Sequence, residues 1–151
     1  MGERHTPDYD VQWHDPVDQP VAPVFHTATS LARPQEGLVS YNVNSWVCHW
    51  GSRSNTATCG YVRQVLAKPN YQCEVLPDCN ASFVKVEGTS LYQCRGDSGG
   101  PWYIGNRAVG VHKGGSLAPN SECSDYTGMK TFFFTDISRA LGTLEVALFT
   151  G

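Results

Sequence analysis

Hydrophobic residues along the chain fall into short runs that are rich in β-branched and aromatic side chains. Clusters of Gly, Pro, Asn and Ser separate these runs, as is typical of strands joined by tight turns. The pattern predicts an all-β fold, an antiparallel barrel or a sandwich. The predicted strands are Val11–Trp13, Val24–Phe25, Val39–Val43, Tyr61–Val65, Phe83–Val86, Trp102–Tyr103, Ala108–His112 and Thr131–Phe134.

One stretch near the C-terminus has a helical period instead. Its apolar positions recur every three or four residues, and either Thr135 or Asp136 can cap the first turn. The stretch predicts a C-terminal helix with an apolar face formed by Ile137, Ala140, Leu141 and Leu144.

Residues 1–36 differ in composition from the rest of the chain. They hold five of the nine prolines and three of the five histidines, and they carry few strand signals. We interpret this segment as an extended arm or as the remains of another structural unit.

The overall charge narrows the possible partners. With 151 residues, 17% of them charged, and a net charge of −3, the chain has no basic excess to neutralise nucleic-acid phosphates. No apolar run approaches the roughly 18 residues of a membrane-spanning helix. The first residues also lack the apolar segment of a signal peptide. We therefore expect neither nucleic acid nor a membrane as partner.

The six cysteines indicate disulfides rather than a metal site. They lack Cys-x-x-Cys spacing, and no His stands at zinc-finger spacing from a Cys pair. Three disulfides in a secreted protein are the better interpretation. Cys73 and Cys79 enclose a short loop that contains Pro77, so we pair them with each other, with free thiols as the alternative. Because no signal peptide is visible, either the signal was removed or the sequence is not the whole gene product.

The strongest chemical signal is the string Gly96-Asp97-Ser98-Gly99-Gly100-Pro101. A nucleophilic serine needs a tight, glycine-lined turn that exposes its hydroxyl to a carbonyl and aims backbone N–H groups at the developing oxyanion. The same letters could form an ordinary glycine-rich turn, but the whole string after Cys94 and before a strand favours the catalytic interpretation.

With this string the sequence resembles the chymotrypsin-like serine proteases, and among them the bacterial streptogrisin and α-lytic branch. Four further stretches are similar to that branch: Val47–Gly51 with Thr58–Val62, Ala108–Gly115, the pair Cys94 and Cys123, and Thr131–Phe133 before a helix. The resemblance implies two antiparallel barrels with the active site between them. It divides the chain into residues 1–36, a remnant of the first barrel with the linker, and residues 37–151, the C-terminal barrel with its terminal helix.

The resemblance also implies the catalytic roles. Ser98 is the nucleophile, and the N–H groups of Gly96 and Ser98 form the oxyanion hole. Asp10, in Tyr9–Trp13, matches the strand that bears the catalytic Asp, although it could instead be a solvated residue. No His has the family's Thr-Ala-x-His-Cys context; His5 lacks it, and a dyad of Asp10 with His14 would be makeshift. We therefore expect a truncated chain or, as alternatives, a degenerate protease or one complemented by a second chain.

Two disulfides follow from the same resemblance, Cys48–Cys59 in a hairpin and Cys94–Cys123 between the walls of the primary specificity pocket. Asp97 is buried in this family and needs a partner. Either His49 pairs with it as an ion pair, or Arg95 or Arg53 does so; both interpretations stay open.

Substrate binding is expected along the strand that ends in Lys113, Gly114 and Gly115. The resemblance places His112 in the primary pocket, Arg95 at its rim and Tyr92 at its floor. This set predicts a preference for Glu or Asp before the scissile bond, which weakens as pH rises and His112 loses its proton. In the alternative, the His112 imidazole turns toward the core.

The expected function is that of a secreted serine endopeptidase that cleaves polypeptides through an acyl-enzyme on Ser98, with no cofactor and no metal. Without a recognisable catalytic His, the chain as written is expected to be impaired. The rival hypothesis is a catalytically inert, protease-like module that binds peptides.

Overall fold

The computed structural model describes residues 2–5, 10–13, 20–28, 30–69, 80–117 and 120–150, the first two segments by their backbone. The strands within these ranges are β1 (Gly2–His5), β2 (Asp10–Trp13), β3 (Val24–Ala28), β4 (Leu31–Pro34), β5 (Trp46–Gly51), β6 (Thr56–Ala67), β7 (Phe83–Gly88), β8 (Pro101–Ile104), β9 (Arg107–Gly115) and β10 (Lys130–Asp136). One helix, α1 (Ile137–Leu144), follows β10 directly.

Six of these strands close into a barrel. Its order is β10-β7-β6-β5-β8-β9, every neighbouring pair is antiparallel, and β9 pairs back with β10. Closure leaves no free sheet edge, so the backbone donors and acceptors of the barrel are paired. The predicted all-β class, with an antiparallel barrel and a C-terminal helix, is confirmed.

Aromatic and branched side chains fill the barrel. Alternate residues of each strand point inward, and the fully buried set is Val47, Val62, Val84, Val86, Leu91, Trp102, Val109, Phe132 and Phe134. Burying each such side chain contributes about 1.5–3 kcal/mol relative to leaving it in water. The core therefore holds β8, β9 and β10 in fixed relation. β8 begins at Pro101, the last residue of the Gly96–Pro101 string, and His112 of β9 exchanges backbone hydrogen bonds with Gly99 and Gly100.

The predicted helix and one predicted strand have different outcomes. Asp136 caps α1, with its carboxylate accepting the Arg139 N–H at 3.1 Å, as the sequence indicated.

The predicted strand Val39–Val43 is wrong, because no ladder forms there. Instead Tyr41 packs against Phe134, with ring centroids 5.8 Å apart, and donates to Asp136. Tertiary contacts of one side chain have replaced strand pairing.

Two short hairpins lie outside the barrel. β1 pairs with β2, and β3 pairs with β4. The backbone of β1 and β2 lies near α1. The division of the chain at residue 36 stays a prediction. Within the described ranges, no helix has the length and apolarity needed to cross a membrane.

Candidate active site

A double turn carries the Gly96–Pro101 string into β8. The Asp97 N–H donates to the Cys94 carbonyl at 3.1 Å, and the Gly100 N–H donates to the Asp97 carbonyl at 3.0 Å. Gly96 has φ of 100° and Gly99 has φ of 85°, values that L side chains rarely adopt. The glycines are thus required by the backbone, and the turn holds Ser98 at its exposed tip.

The Asp97 carboxylate anchors this turn from inside the protein. Its Oδ1 accepts the N–H groups of Arg53 at 2.7 Å and Ser54 at 2.9 Å, and its Oδ2 accepts the Cys94 N–H at 2.7 Å. Burial alone raises the pKa of this carboxyl, but the hydrogen bonds from Cys94, Ser54 and Arg53 outweigh burial and leave the pKa below its ordinary value. A Cβ on Gly51 would overlap the carboxylate, which explains the glycine there.

None of the three expected partners of Asp97 forms an ion pair with it. The Arg53 contact uses the backbone N–H, and the Arg95 side chain lies on the surface beside Glu122. His49 is fully buried, and burial lowers its pKa to about 4 although the nearby Asp97 carboxylate and the Pro101 backbone oppose that shift. The predicted His49–Asp97 ion pair is wrong, because neither ring nitrogen of His49 hydrogen-bonds the carboxylate. Backbone amides supply the stabilisation instead.

Ser98 faces the end of β9. Its Oγ donates to the Lys113 carbonyl at 3.2 Å. Among the described residues, no acceptor receives the N–H of Gly96 or of Ser98. Two free N–H groups on either side of Asp97, next to an exposed hydroxyl, are the arrangement that an oxyanion hole requires.

A groove of about 510 Å³ opens beside Ser98. Its walls combine the glycine-rich turn with mostly apolar side chains, among them Phe25, Trp50, Pro101 and Ile137. His26 also lines the groove, with its ring centroid 5.5 Å from that of Trp50. The groove is large enough for a few residues of an extended peptide.

The expected catalytic Asp10 lies at the start of β2. Its backbone partner across the hairpin is His5. The structure describes no side chain at either position, and His14 lies outside the described residues. The role of Asp10 stays a prediction.

The His112 imidazole turns toward the core, the alternative that the sequence left open, and does not stand free in a pocket. The side chain is 3% exposed, and its ring stacks on His49 with centroids 4.1 Å apart. The Trp102 Nε1–H donates to His112 Nδ1 at 3.1 Å, and His112 Nε2 lies 2.6 Å from Gln93 Oε1. Burial and the neighbouring His49 hold the pKa of His112 well below its ordinary value. The ring therefore has no nitrogen left for a substrate carboxylate.

The remaining expected pocket residues make contacts of their own. Tyr92 hydrogen-bonds Asp125, which raises its phenol pKa, and its backbone N–H donates to Thr58 Oγ1 at 3.1 Å. Arg95 Nε lies 3.8 Å from Glu122 Oε1, and both side chains are exposed. The carboxylate and the surrounding water therefore screen the charge of Arg95. Lys113, Gly114 and Gly115 end β9, where Gly114 and Gly115 pair with β10.

Both framework disulfides inferred from the resemblance are present. Cys48 and Cys59 are cross-strand partners of β5 and β6 and are joined by a disulfide. Cys94 is joined to Cys123, just before the glycine-rich turn. Cys73 and Cys79 lie outside the described residues, so their pairing stays a prediction. In the described ranges, no cluster of three or more His, Cys, Asp or Glu side chains could hold a metal ion.

Gln93 is the residue of this site that sequence reasoning missed. Its side chain meets His112, while its backbone N–H and carbonyl bond Ser124. A Gln between Tyr92 and Cys94 carries no motif of its own. Its position, one residue before the disulfide that joins the expected pocket walls, was the available signal.

Comparison with known proteins agrees with this geometry. The family model described as Trypsin matches residues 16–134 of the chain, well over half of it. The chain belongs to the trypsin family. The matched residues include the glycine-rich turn with Ser98. No curated protein gave a significant match.

Solved structures of bacterial serine proteases share the fold of this family member. Thermobifida fusca Protease A is 25% identical with a TM-score of 0.66, and the match covers 87% of this chain and 63% of that protein. Cellulomonas bogoriensis chymotrypsin is 22% identical with a TM-score of 0.66. A glutamic acid-specific serine protease, described as using a novel histidine triad in substrate binding, is 21% identical with a TM-score of 0.72 over 98% of this chain and 72% of its own. The chain therefore spans about 63% of the length of the Thermobifida relative.

Proposed function

We propose that this chain is the nucleophile-bearing barrel of a secreted serine endopeptidase that cleaves polypeptides through an acyl-enzyme on Ser98. The observation that carries the proposal is the double turn: Asp97 is fixed by three backbone N–H groups, which leaves Ser98 exposed between two unbonded amides. In acyl transfer, the serine oxygen bonds to the substrate carbonyl carbon, the amides stabilise the resulting oxyanion, and the amine leaves with a proton.

Among the described residues, the Ser98 hydroxyl has no base as its hydrogen-bond partner. Ser98 donates to the Lys113 carbonyl, which is no base. By resemblance, Asp10 orients a catalytic His, and none of the described histidines has that context. We propose slow turnover for the isolated chain, since loss of a triad member leaves roughly 10³–10⁴-fold catalysis over water.

The rival function is an inert module that holds peptides along the end of β9. The same Ser98–Lys113 hydrogen bond favours it, because the hydroxyl proton is committed to a carbonyl. Both functions share the fold and the disulfides, so only the reactivity of Ser98 separates them.

Labelling with a fluorophosphonate probe distinguishes the two functions. We expect native chain to be labelled at Ser98 and the Ser98→Ala variant to remain unlabelled. Ser116→Ala, which changes another hydroxyl at the end of β9, is the matched control and should label like the native chain. Absence of labelling in native chain that binds peptides would favour the inert module. Comparing His5→Ala and His26→Ala then reports whether either imidazole assists Ser98.

A further inference from the structure

Two exposed aromatic side chains lie next to each other on the outside of the barrel. Trp46 of β5 is the cross-strand partner of Tyr61 of β6, and Tyr61 is the partner of Glu87 of β7, so the three side chains form a row on one face of the sheet. Trp46 is 49% exposed and Tyr61 is 44% exposed, with their ring centroids 4.6 Å apart. The residues beside them in the three strands are buried in the core, namely Val47, Val62 and Val86. The aromatic row is therefore surface that the core does not use.

Further exposed apolar side chains extend this row. The adjoining segments 38–46 and 61–66 hold six large hydrophobic residues, each 42–52% exposed. The segments are in contact, since the Asn44 N–H donates to the Val62 carbonyl at 2.8 Å and one cavity is lined by both Leu38 and Val65. We call this set the outer apolar face; its members are Leu38, Val43, Trp46, Tyr61, Val65 and Leu66. Six such side chains, each about half exposed, present about 500 Å² of apolar surface, which is as large as the largest patch of a typical monomer.

Both signs of charge lie beside this face at fixed positions. The Arg63 guanidinium lies 5.1 Å from the centre of the Tyr61 ring and donates from Nη1 to Asn44 Oδ1 at 2.7 Å. Arg63 Nε is 3.8 Å from Glu87 Oε2, and Lys85 Nζ is 2.6 Å from Glu87 Oε1. A partner that carried one sign of charge would be repelled by one of these groups. A second copy of the same face, turned about a two-fold axis, can offer the opposite sign to each of them.

The area of the outer apolar face is what a symmetric dimer needs. An interface of standard size buries about 800 Å² on each partner, and about 65% of a homodimer interface is apolar. The apolar area required is therefore about 500 Å² on each copy, which matches the face. Trp, Tyr and Arg, the side chains at its centre, are also those that carry most of the binding energy at protein interfaces.

We infer that this chain forms a two-fold symmetric dimer through the outer apolar face, with a second copy of itself as the partner. In this dimer Trp46 packs against Tyr61 of the partner subunit. The Arg63 guanidinium faces Glu87 of the partner subunit, and the two-fold axis repeats both contacts.

The dimer leaves the candidate active site open. Trp46 is the first residue of β5, whereas Gly51 is the last and lies against the Asp97 carboxylate that anchors the Ser98 turn. Five residues of strand separate the two ends by about 16 Å. The inference therefore does not depend on the proposed function, and fluorophosphonate labelling of Ser98 should be the same in the monomer and the dimer.

Sedimentation equilibrium of the full chain measures the association directly. We expect a dimer with a Kd of about 10 μM or tighter, and a chain that stays monomeric at about 200 μM would overturn the inference. Trp46→Ser removes the central ring and should weaken the dimer about 10-fold or more. The matched control is Leu31→Ser in the β3–β4 hairpin, where an apolar side chain of the same exposure lies outside the face, and this variant should associate like the native chain. A dimer that survives Trp46→Ser, or one that Leu31→Ser dissociates, would place the interface elsewhere and overturn the inference.

A charge exchange between copies tests the two-fold arrangement. Arg63→Glu and Glu87→Arg should each weaken the homodimer about 10-fold or more, because like charges then face each other across the axis. An equimolar mixture of the two variants should regain the native association, since each new side chain meets the opposite sign on the other variant. The contact between positions 63 and 87 within each copy stays broken in the mixture, so recovery reports on the interface alone. Native association of either single variant, or a mixture as weak as the single variants while circular dichroism shows both to be folded, would contradict the proposed dimer.

Discussion

Single carboxylates and imidazoles decide the geometry of this site. Asp97 is the clearest case, since one buried side chain accepts three backbone N–H groups from two separate segments, Arg53–Ser54 and Cys94. The sequence motif contains this Asp but says nothing of its partners, because backbone donors have no sequence signature. For that reason both sequence-based choices, His49 and an arginine side chain, were wrong.

Replacing Asp97 by Asn tests that anchor. The amide oxygen can still accept from Arg53 and Ser54, but its NH₂ group then faces the Cys94 N–H, donor against donor. We expect a loss of about 2–3 kcal/mol in the free energy of unfolding, measured by urea denaturation. Glu122→Gln removes a carboxylate from an exposed ion pair and should cost less than about 1 kcal/mol. Equal effects of the two variants would contradict the anchoring role.

His49 makes the stability of the fold depend on acid. Its pKa is about 4 in the folded protein, below the ordinary value of 6.5, so the unfolded chain binds more protons between these limits. The stabilising contribution is therefore complete above pH 6.5 and declines as pH falls from 6.5 toward 4. Over that window the lowered pKa of His49 changes the free energy of unfolding by roughly 3 kcal/mol.

The variant His49→Leu should flatten this dependence. Denaturation curves between pH 7 and pH 4 would then show a smaller loss of unfolding free energy than in the native chain, although His112 still contributes. His26→Leu, which changes an exposed imidazole in the groove, should retain the native slope. If the unfolding free energy of His49→Leu depends on pH as strongly as that of the native chain, burial does not hold His49 neutral.

Elements of regular periodicity were predictable, and elements fixed by tertiary contacts were not. The β7, β9, β10 and α1 segments carry alternation or helical spacing and appear where the sequence placed them. The Val39–Val43 segment has strand composition, but Tyr41 is held by Phe134 and Asp136 instead of a ladder. The sequence left two orientations open for the His112 imidazole, because it does not show which residues stack on the ring from other strands.

The junction of β10 and α1 depends on Asp136. This carboxylate caps the helix by accepting the Arg139 N–H and also accepts the hydroxyl of Tyr41, and burial together with that hydrogen bond raises the pKa of Tyr41 above its ordinary value. Asp136→Ala removes both bonds, and we expect about 1–3 kcal/mol less stability by urea denaturation. Ser138→Ala, on the exposed side of the same helix turn, should change stability by less than about 0.5 kcal/mol. If both variants lose the same amount of stability, Asp136 does not stabilise the junction of β10 and α1.

At the scale of the whole molecule, one closed barrel brings three segments of the site together. The glycine-rich turn exposes Ser98, the Cys94–Cys123 bridge fixes the segment before it, and the end of β9 faces the serine hydroxyl. The fold could be predicted from the sequence because the string around Ser98 has few other uses, and the role of Ser98 as nucleophile stays a prediction. The proton acceptor was not readable, since it depends on residues far apart in sequence.

The central claim is that Ser98 forms an acyl-enzyme on this barrel. Intact-protein mass spectrometry of the chain incubated with the p-nitrophenyl ester of an acetylated amino acid measures that directly. We predict one added acyl group, located on Ser98 by peptide mapping, formed slowly by the native chain and absent in Ser98→Ala. A chain that stays unmodified after complete exposure to the ester, or an adduct that persists in Ser98→Ala, would contradict the account.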